Sequence, residues 1–174
     1  VCLLVDKEEI GSEGNTGLRS AYLKYFIYDL AESCGVAGRT VLSNSKCLSA
    51  DVNAGFDPTF PEPFEKMNSA FLNKGVVATK YTGSRGKSGT SDASAEYVSE
   101  IRNLFNENGV IWQTGELGKV DAGGGGTVAA YLANMGMDVI DVGVPVISMH
   151  APFEVVSKID VYMTYRSFYE FMAE

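Results

Sequence analysis

Three short segments of this sequence carry side chains able to bind a metal or move a proton, each directly after an apolar run. Asp6-Lys7-Glu8-Glu9 follows Val1-Cys2-Leu3-Leu4-Val5 and gathers three carboxylates at one expected strand end. Like charges so close together are costly unless a cation neutralises them or solvent surrounds them, so a solvated turn and a metal or acid–base site both stay open. Neighbours in extended backbone point to opposite sides. One of Glu8 and Glu9 could then hold a metal while the other reaches a water. Asp51 sits in Ser49-Ala50-Asp51-Val52-Asn53, where a single Asp is commonly a cap or turn residue. His150, the only histidine, ends the run Val144-Pro145-Val146-Ile147-Ser148-Met149-His150, and a lone His is more often a satisfied structural group than a ligand. Glu, Asp and His at three strand ends nevertheless make an oxygen-plus-imidazole set of the kind zinc prefers.

Other chemistries find less support. The glycine run Gly123 to Gly126 lacks the spacing of phosphate-binding loops, and close backbone approach explains it better. Ser88 and Ser91 have no second histidine to activate them, which disfavours serine hydrolysis. The net charge of −8, with 14 scattered basic residues, leaves no basic patch for nucleic acid. Cys2, Cys34 and Cys47 form no CxxC, so reduced, buried or half-buried thiols are expected. No apolar run reaches the roughly 20 residues that span a bilayer, and no signal peptide is evident. A cytoplasmic protein is the expectation.

The elements that must position these residues alternate. A length of 174 residues, 45% hydrophobic, suits one globular unit with a real core. Residues 1–5 read as a buried strand, and its position at the start suggests a fragment of something longer. A helix with Leu18, Tyr22, Tyr25 and Phe26 on one face stops near Gly35. A second apolar stretch spans Cys47 to Val52, followed by a loop from Asp57 to Phe64 whose three prolines exclude a central strand. Gly75 to Tyr81 reads as a strand. Ser84 to Ser91 is a loop ending in an N-cap for a helix through Tyr97, Ile101, Leu104 and Phe105. A strand at Val110 to Gln113, a helix from Val128 to Met135 closed by Gly136 and a strand at Val139 to Val144 follow. The last helix aligns Ile159, Tyr162, Tyr165, Tyr169 and Met172 in a stripe expected to pack into the core. This pattern predicts an α/β three-layer sandwich with a mixed, largely parallel sheet, with chemistry beyond the carboxyl ends of strands.

The motifs DKEEIGS (6–12), LSADVNA (48–54), KYTGSRGK and SDASAE (between Lys80 and Glu96), WQTGELGKVDAGGGGT (112–127) and VGVPVISMHAPFE (142–154) together resemble the aspartyl and vacuolar aminopeptidase family of dinuclear-zinc exopeptidases. The resemblance covers nearly the whole chain and implies a zinc-exopeptidase-like fold. It also implies hydrolysis of N-terminal peptide bonds by two zinc ions, although other divalent metals could serve. Glu8 falls at the general base, Glu9 at a ligand of one zinc, Asp51 at a ligand of the other, and His150 at the residue completing the Glu-bound zinc. Lys80 and Met149 fall where family members line the substrate pocket. The family's upstream His-x-Asp motif and its bridging Asp have no counterpart here. The chain is therefore expected to be the C-terminal part of a catalytic domain, without the N-terminal ligands and the inserted dimerisation domain. Many aspartyl aminopeptidases carry histidines after the SAD aspartate, where this chain has Ala54, Gly55, Phe56 and Asp57, so the resemblance alone does not assign acidic specificity. Peptides with a free N-terminus are the implied substrates and a homo-oligomer, a dodecamer built from dimers, the implied assembly. A non-catalytic assembly module and a phosphate-binding α/β domain are the alternatives.

Overall fold

The computed structural model describes residues 1–174 except Gly86, Lys87 and Val120. In chain order the elements are a 3-10 turn at Glu8–Ile10, α1 (Tyr22–Ser33), α2 (Gly38–Ser43), β1 (Lys46–Ser49), β2 (Asn53–Ala54) and a second 3-10 turn at Lys66–Asn68. There follow β3 (Val76–Thr79), β4 (Tyr81–Ser84), β5 (Ser88–Asp92), α3 (Ala95–Glu107), β6 (Trp112–Thr114), α4 (Ala129–Ala133), β7 (Asp138–Gly143), β8 (Pro145–Ile147), β9 (Val155–Val156) and α5 (Lys158–Ala173). Where composition suits one globular unit, the chain divides into two: Val1–Cys47 with Val128–Val139, and Leu48–Thr127 with Ile140–Glu174.

In the first unit, Leu18, Leu23, Ala129, Leu132 and Val139 form a small core, with Val5, Ile27 and Met137 packed against it. Residues 1–5 are not the expected buried strand. A strand needs a hydrogen-bonding neighbour, and this segment reaches only an isolated parallel bridge between Asp6 and Gly17, leaving Val1 and Leu4 exposed. The stripe expected on α1 is also rotated. Leu18 precedes the helix, so the buried face is set by Leu23 and Ala31 at helical spacing, with Ile27 between them, and Tyr22, Tyr25 and Phe26 turn outward.

In the second unit, a four-stranded sheet has the order β1-β7-β3-β6. The sheet is mixed: β3 runs parallel to β6, with Val76 opposite Trp112, and antiparallel to β7, with Ala78 opposite Val142. β2 and β8 pair in parallel and β9 adds antiparallel to β8. Val76, Ala78, Ile140 and Val142 pack with Tyr97, Ile101 and Phe105 of α3 and with Met163, Phe168 and Phe171 of α5. The alternate residues Val77 and Thr79 face the other way, where the Asn53 amide donates to Thr79 Oγ1 at 2.7 Å. The mixed α/β class is as expected.

Several local expectations change. The flanks of the expected Ser84 to Ser91 loop form the antiparallel hairpin β4–β5, in which Ser91 pairs with Thr82; Gly86 and Lys87, in its middle, lie outside the described residues. With Ser91 held in a strand, the cap of α3 is Ser94, whose hydroxyl accepts the Tyr97 N–H at 3.2 Å. The three cysteines are free, but Cys2 and Cys34 are exposed rather than buried. On α5 the stripe Ile159, Tyr162, Tyr165, Tyr169 and Met172 is exposed instead of packed into the core. Both faces of this helix carry apolar residues, and its rotation is fixed by Asp160, which is fully buried and accepts the N–H groups of Asn73 (2.7 Å) and Gly75 (2.8 Å). That turns Met163, Phe168 and Phe171 toward the sheet. No helix among the described residues is long and apolar enough to cross a membrane.

Asp160→Ala should therefore leave the Asn73 and the buried Gly75 N–H without their carboxylate acceptor and lower unfolding stability by about 1–3 kcal/mol, read from the urea midpoint at constant slope. A loss below about 0.5 kcal/mol, the scale of a neutral surface change, would remove Asp160 from this role.

Candidate metal and catalytic residues

Glu8 and Glu9 lie on the 3-10 turn of the first unit rather than at a strand end, so their side chains do not alternate across extended backbone. The turn is entered through Lys7 in the left-handed region (φ 64°) and left through Gly11 (φ 95°). Ser12 N–H closes it onto the Lys7 carbonyl at 2.8 Å. Asp6, third of the clustered carboxylates, accepts the Lys7 N–H at 2.9 Å and the Thr16 hydroxyl at 3.0 Å, which makes it a turn-forming group. Glu8 is half-buried and Glu9 exposed.

Asp51, half-buried, lies in the second unit between β1 and β2. Its N–H donates to the Ser49 carbonyl at 3.0 Å, and the next segment is clamped by Asn53 N–H to Val144 O (3.0 Å) and Gly55 N–H to Val146 O (2.8 Å). The Asp51 carbonyl crosses β7 so closely that a Cβ on Gly143 would lie 1.7 Å from it. Ser49 Oγ and Asn53 Oδ1, two residues to either side of Asp51, are buried and have no hydrogen-bond partner among the described residues. Buried oxygens of this kind call for a further partner, such as a cation or water. The Asp51 carboxylate itself is an oxygen donor of the kind zinc accepts.

His150 follows β8 in the same unit, in a turn with Ser148 and His150 itself left-handed (φ 60° and 66°). A carboxylate oxygen of Glu154 accepts the His150 N–H at 2.6 Å and fixes that conformation. Met149 beside it is half-buried. Among the described residues, no three His, Cys, Asp or Glu side chains converge on a point that could hold a metal. Asp51 and His150 thus share one unit without forming a three-ligand cluster with its other residues.

Lys80 stands between β3 and β4 and pairs its ammonium with the Asp92 carboxylate. It borders a feature that the motif pattern does not flag. A cavity of about 250 Å³ is lined by Asn68, Tyr81, Thr82, Glu116, Lys119 and Asp121, together with glycines of the run. Burial pushes the Glu116 carboxyl up to about 6; Lys80 opposes the shift and Asp92 adds to it. Thr82 Oγ1 is buried there with no hydrogen-bond partner among the described residues. An acidic residue in the turn after β6, bracketed by Gly115 and Gly118, was the available signal. The glycine run has the structural role expected of it: Gly125 O accepts the Gly83 N–H at 2.9 Å, and a Cβ on Gly124 would meet Gly83 O at 2.2 Å.

Comparison with known proteins gives these residues a context. A family model described as aminopeptidase I zinc metalloprotease (M18) matches residues 1–172. A probable M18 family aminopeptidase 1 of Clostridium acetobutylicum is 51% identical over 99% of this chain and 38% of its own length. The crystal structure of an M18 aminopeptidase from Thermotoga maritima superposes with a TM-score of 0.91 at 43% identity, covering 97% of this chain and 38% of that one. A Saccharomyces cerevisiae structure described as a dodecamer superposes at 0.79 with 27% identity, over 98% of this chain and 37% of its own. The chain thus spans about two fifths of the length of the curated relatives it matches, 38% and 39% for the first two. With a matched region that runs almost from end to end, the chain belongs to the M18 family of aminopeptidase I zinc metalloproteases.

Proposed function

We propose that the protein containing this chain is a metallo-aminopeptidase that uses two zinc ions to release N-terminal residues from peptides. The observation that carries this reading is the unbroken family match over residues 1–172, which takes in all three segments bearing candidate ligands. Glu9, Asp51 and His150 are the zinc ligands supplied by this chain, and the remaining ligands come from the part of the longer protein outside it. Zinc held there would act as a Lewis acid on the scissile carbonyl and favour ionisation of the attacking water. The Glu8 carboxylate accepts the proton of that water and passes it to the leaving amine nitrogen. Met149 supplies apolar contact to the substrate and Lys80 a polar one. The native assembly is a homo-oligomer, a dodecamer as in the yeast relative. The exposed tyrosine stripe of α5 and the Asp57 to Phe64 loop offer apolar surface for it. We place the protein in the cytoplasm.

A second reading, that these 174 residues are non-catalytic by themselves, is favoured by the lack of a three-ligand cluster among the described residues. In that case the chain in isolation holds little zinc, and turnover needs the full-length protein.

In the full-length protein, Glu8→Gln should lower kcat by about 10²–10⁴-fold with zinc content intact, because the amide keeps the shape but takes no proton. Retention of more than about a tenth of kcat would exclude Glu8 as the base. His150→Ala should lose one zinc equivalent by elemental analysis, and equal metal in variant and parent would strike it from the ligands.

The close approach at β7 gives an independent check. Gly143→Ala forces the Asp51 carbonyl away, so stability should fall by about 1–3 kcal/mol and bound zinc should drop. Unaltered melting and zinc content together would show that the Asp51 backbone position is immaterial.

A further inference from the structure

The cavity beside Lys80 has a charge pattern that the resemblance does not explain. Glu116, Lys119 and Asp121 line the cavity, and the Lys80 and Asp92 charges outside its lining act on Glu116. The Lys80 ammonium, the group that would greet an acidic substrate, is already paired with Asp92. Glu116 is half-buried and, among the described residues, forms no direct ion pair with a cation. Thr82 adds a buried hydroxyl with no protein partner among the described residues, so a polar ligand atom would complete it. The volume, about 250 Å³, falls below the roughly 300–1,000 Å³ of whole-ligand pockets and suits one long side chain.

We propose that this cavity takes the side chain of the substrate's N-terminal residue, and that Glu116 and Thr82 make it select Lys or Arg over acidic residues. The proposal rests on the aminopeptidase reading for its substrate class. Its physical basis is local: a half-buried carboxylate is screened less than one at the open surface and attracts a cation that reaches it. Asp121 adds a second carboxylate to the lining and Lys119 opposes it, while the Lys80 and Asp92 charges are paired with each other. Burial pushes the Glu116 carboxyl up to about 6, so the preference should be present above that pH and fade as pH falls through it.

The test uses full-length protein. The ratio of kcat/KM for arginyl to leucyl and to glutamyl p-nitroanilide is measured for the parent, Glu116→Gln and Glu116→Asp, beside a thermal-shift titration with L-argininamide. The parent should prefer the arginyl substrate. Glu116→Gln should cut that preference about five- to tenfold, the scale of a partly exposed charge pair, and Glu116→Asp should restore part of it. The argininamide shift should shrink in parallel, a readout that needs no turnover. If the parent turns over but prefers the glutamyl substrate, or if Glu116→Gln leaves the ratio unaltered, the Glu116 assignment is wrong and the aminopeptidase reading stands. If the parent cleaves none of the three substrates yet binds argininamide through Glu116, the aminopeptidase reading falls and the cation site remains. Should Glu116→Gln fail to fold, Thr82→Val replaces it with the same expected loss of argininamide binding, and undiminished binding overturns the site.

Discussion

The larger unit is organised around a strand that water never reaches. Val76 and Val77 of β3 are both 0% exposed, so successive side chains, pointing to opposite faces, must each find cover. One face is closed by Tyr97, Ile101 and Phe105 of α3 and by the packed face of α5. The other is closed by Asn53 and by the backbone of Gly115, where a Cβ would lie 3.1 Å from Val77 Cγ1. Burying about 25 cal/mol per Å2 of apolar surface drives this closure, but polar contacts set its register. Asp160 ties the start of α5 to the turn before β3, and the Gln113 amide donates to Phe71 O and Gly75 O at 2.8 and 3.0 Å, holding β6 to the same turn.

The candidate positions of this unit follow from that closure. Asp51 lies where the chain leaves the sheet beside Gly143, and the segment after it is clamped by the Asn53 and Gly55 N–H groups donating to the Val144 and Val146 carbonyls. Lys80 is the residue at which β3 passes into the hairpin, and Glu116 lies just beyond β6, the parallel neighbour of β3. Side chains on the ends of buried strands are held by the core behind them, which gives a binding site precision without requiring its own residues to pack well. Ser49 and Asn53 each keep a buried side-chain oxygen with no hydrogen-bond partner among the described residues, a cost that water or a ligand would relieve.

What the sequence made legible follows from which interactions are local. The strand at Val76–Thr79, the helix through Tyr97 and Phe105 and the strand at Asp138–Gly143 were readable because their apolar runs pack on one shared core. The rotation of α5 was not, because two apolar stripes fit the same periodicity and a buried Asp160, bonded to residues 85 and more positions away, decides between them. The β4–β5 hairpin was missed because its glycine- and serine-rich strands have no apolar alternation. The apolar opening Val1 to Val5 misled because strand character depends on a neighbour that local sequence does not encode. At the candidate site, Glu8, Glu9, Asp51 and His150 were legible as motif residues. Glu116 was not, since the cavity it lines is formed by segments distant in sequence.

The central claim is that Glu9, Asp51 and His150 hold zinc in the complete protein. The most direct measurement is an anomalous difference map at the zinc edge from crystals of the full-length protein grown with zinc. The account expects two zinc peaks per subunit, with the Glu9 and Asp51 carboxylates and the His150 imidazole each about 2.0–2.2 Å from one of them. Peaks that touch none of these three side chains, or none at all at saturating zinc, would contradict it.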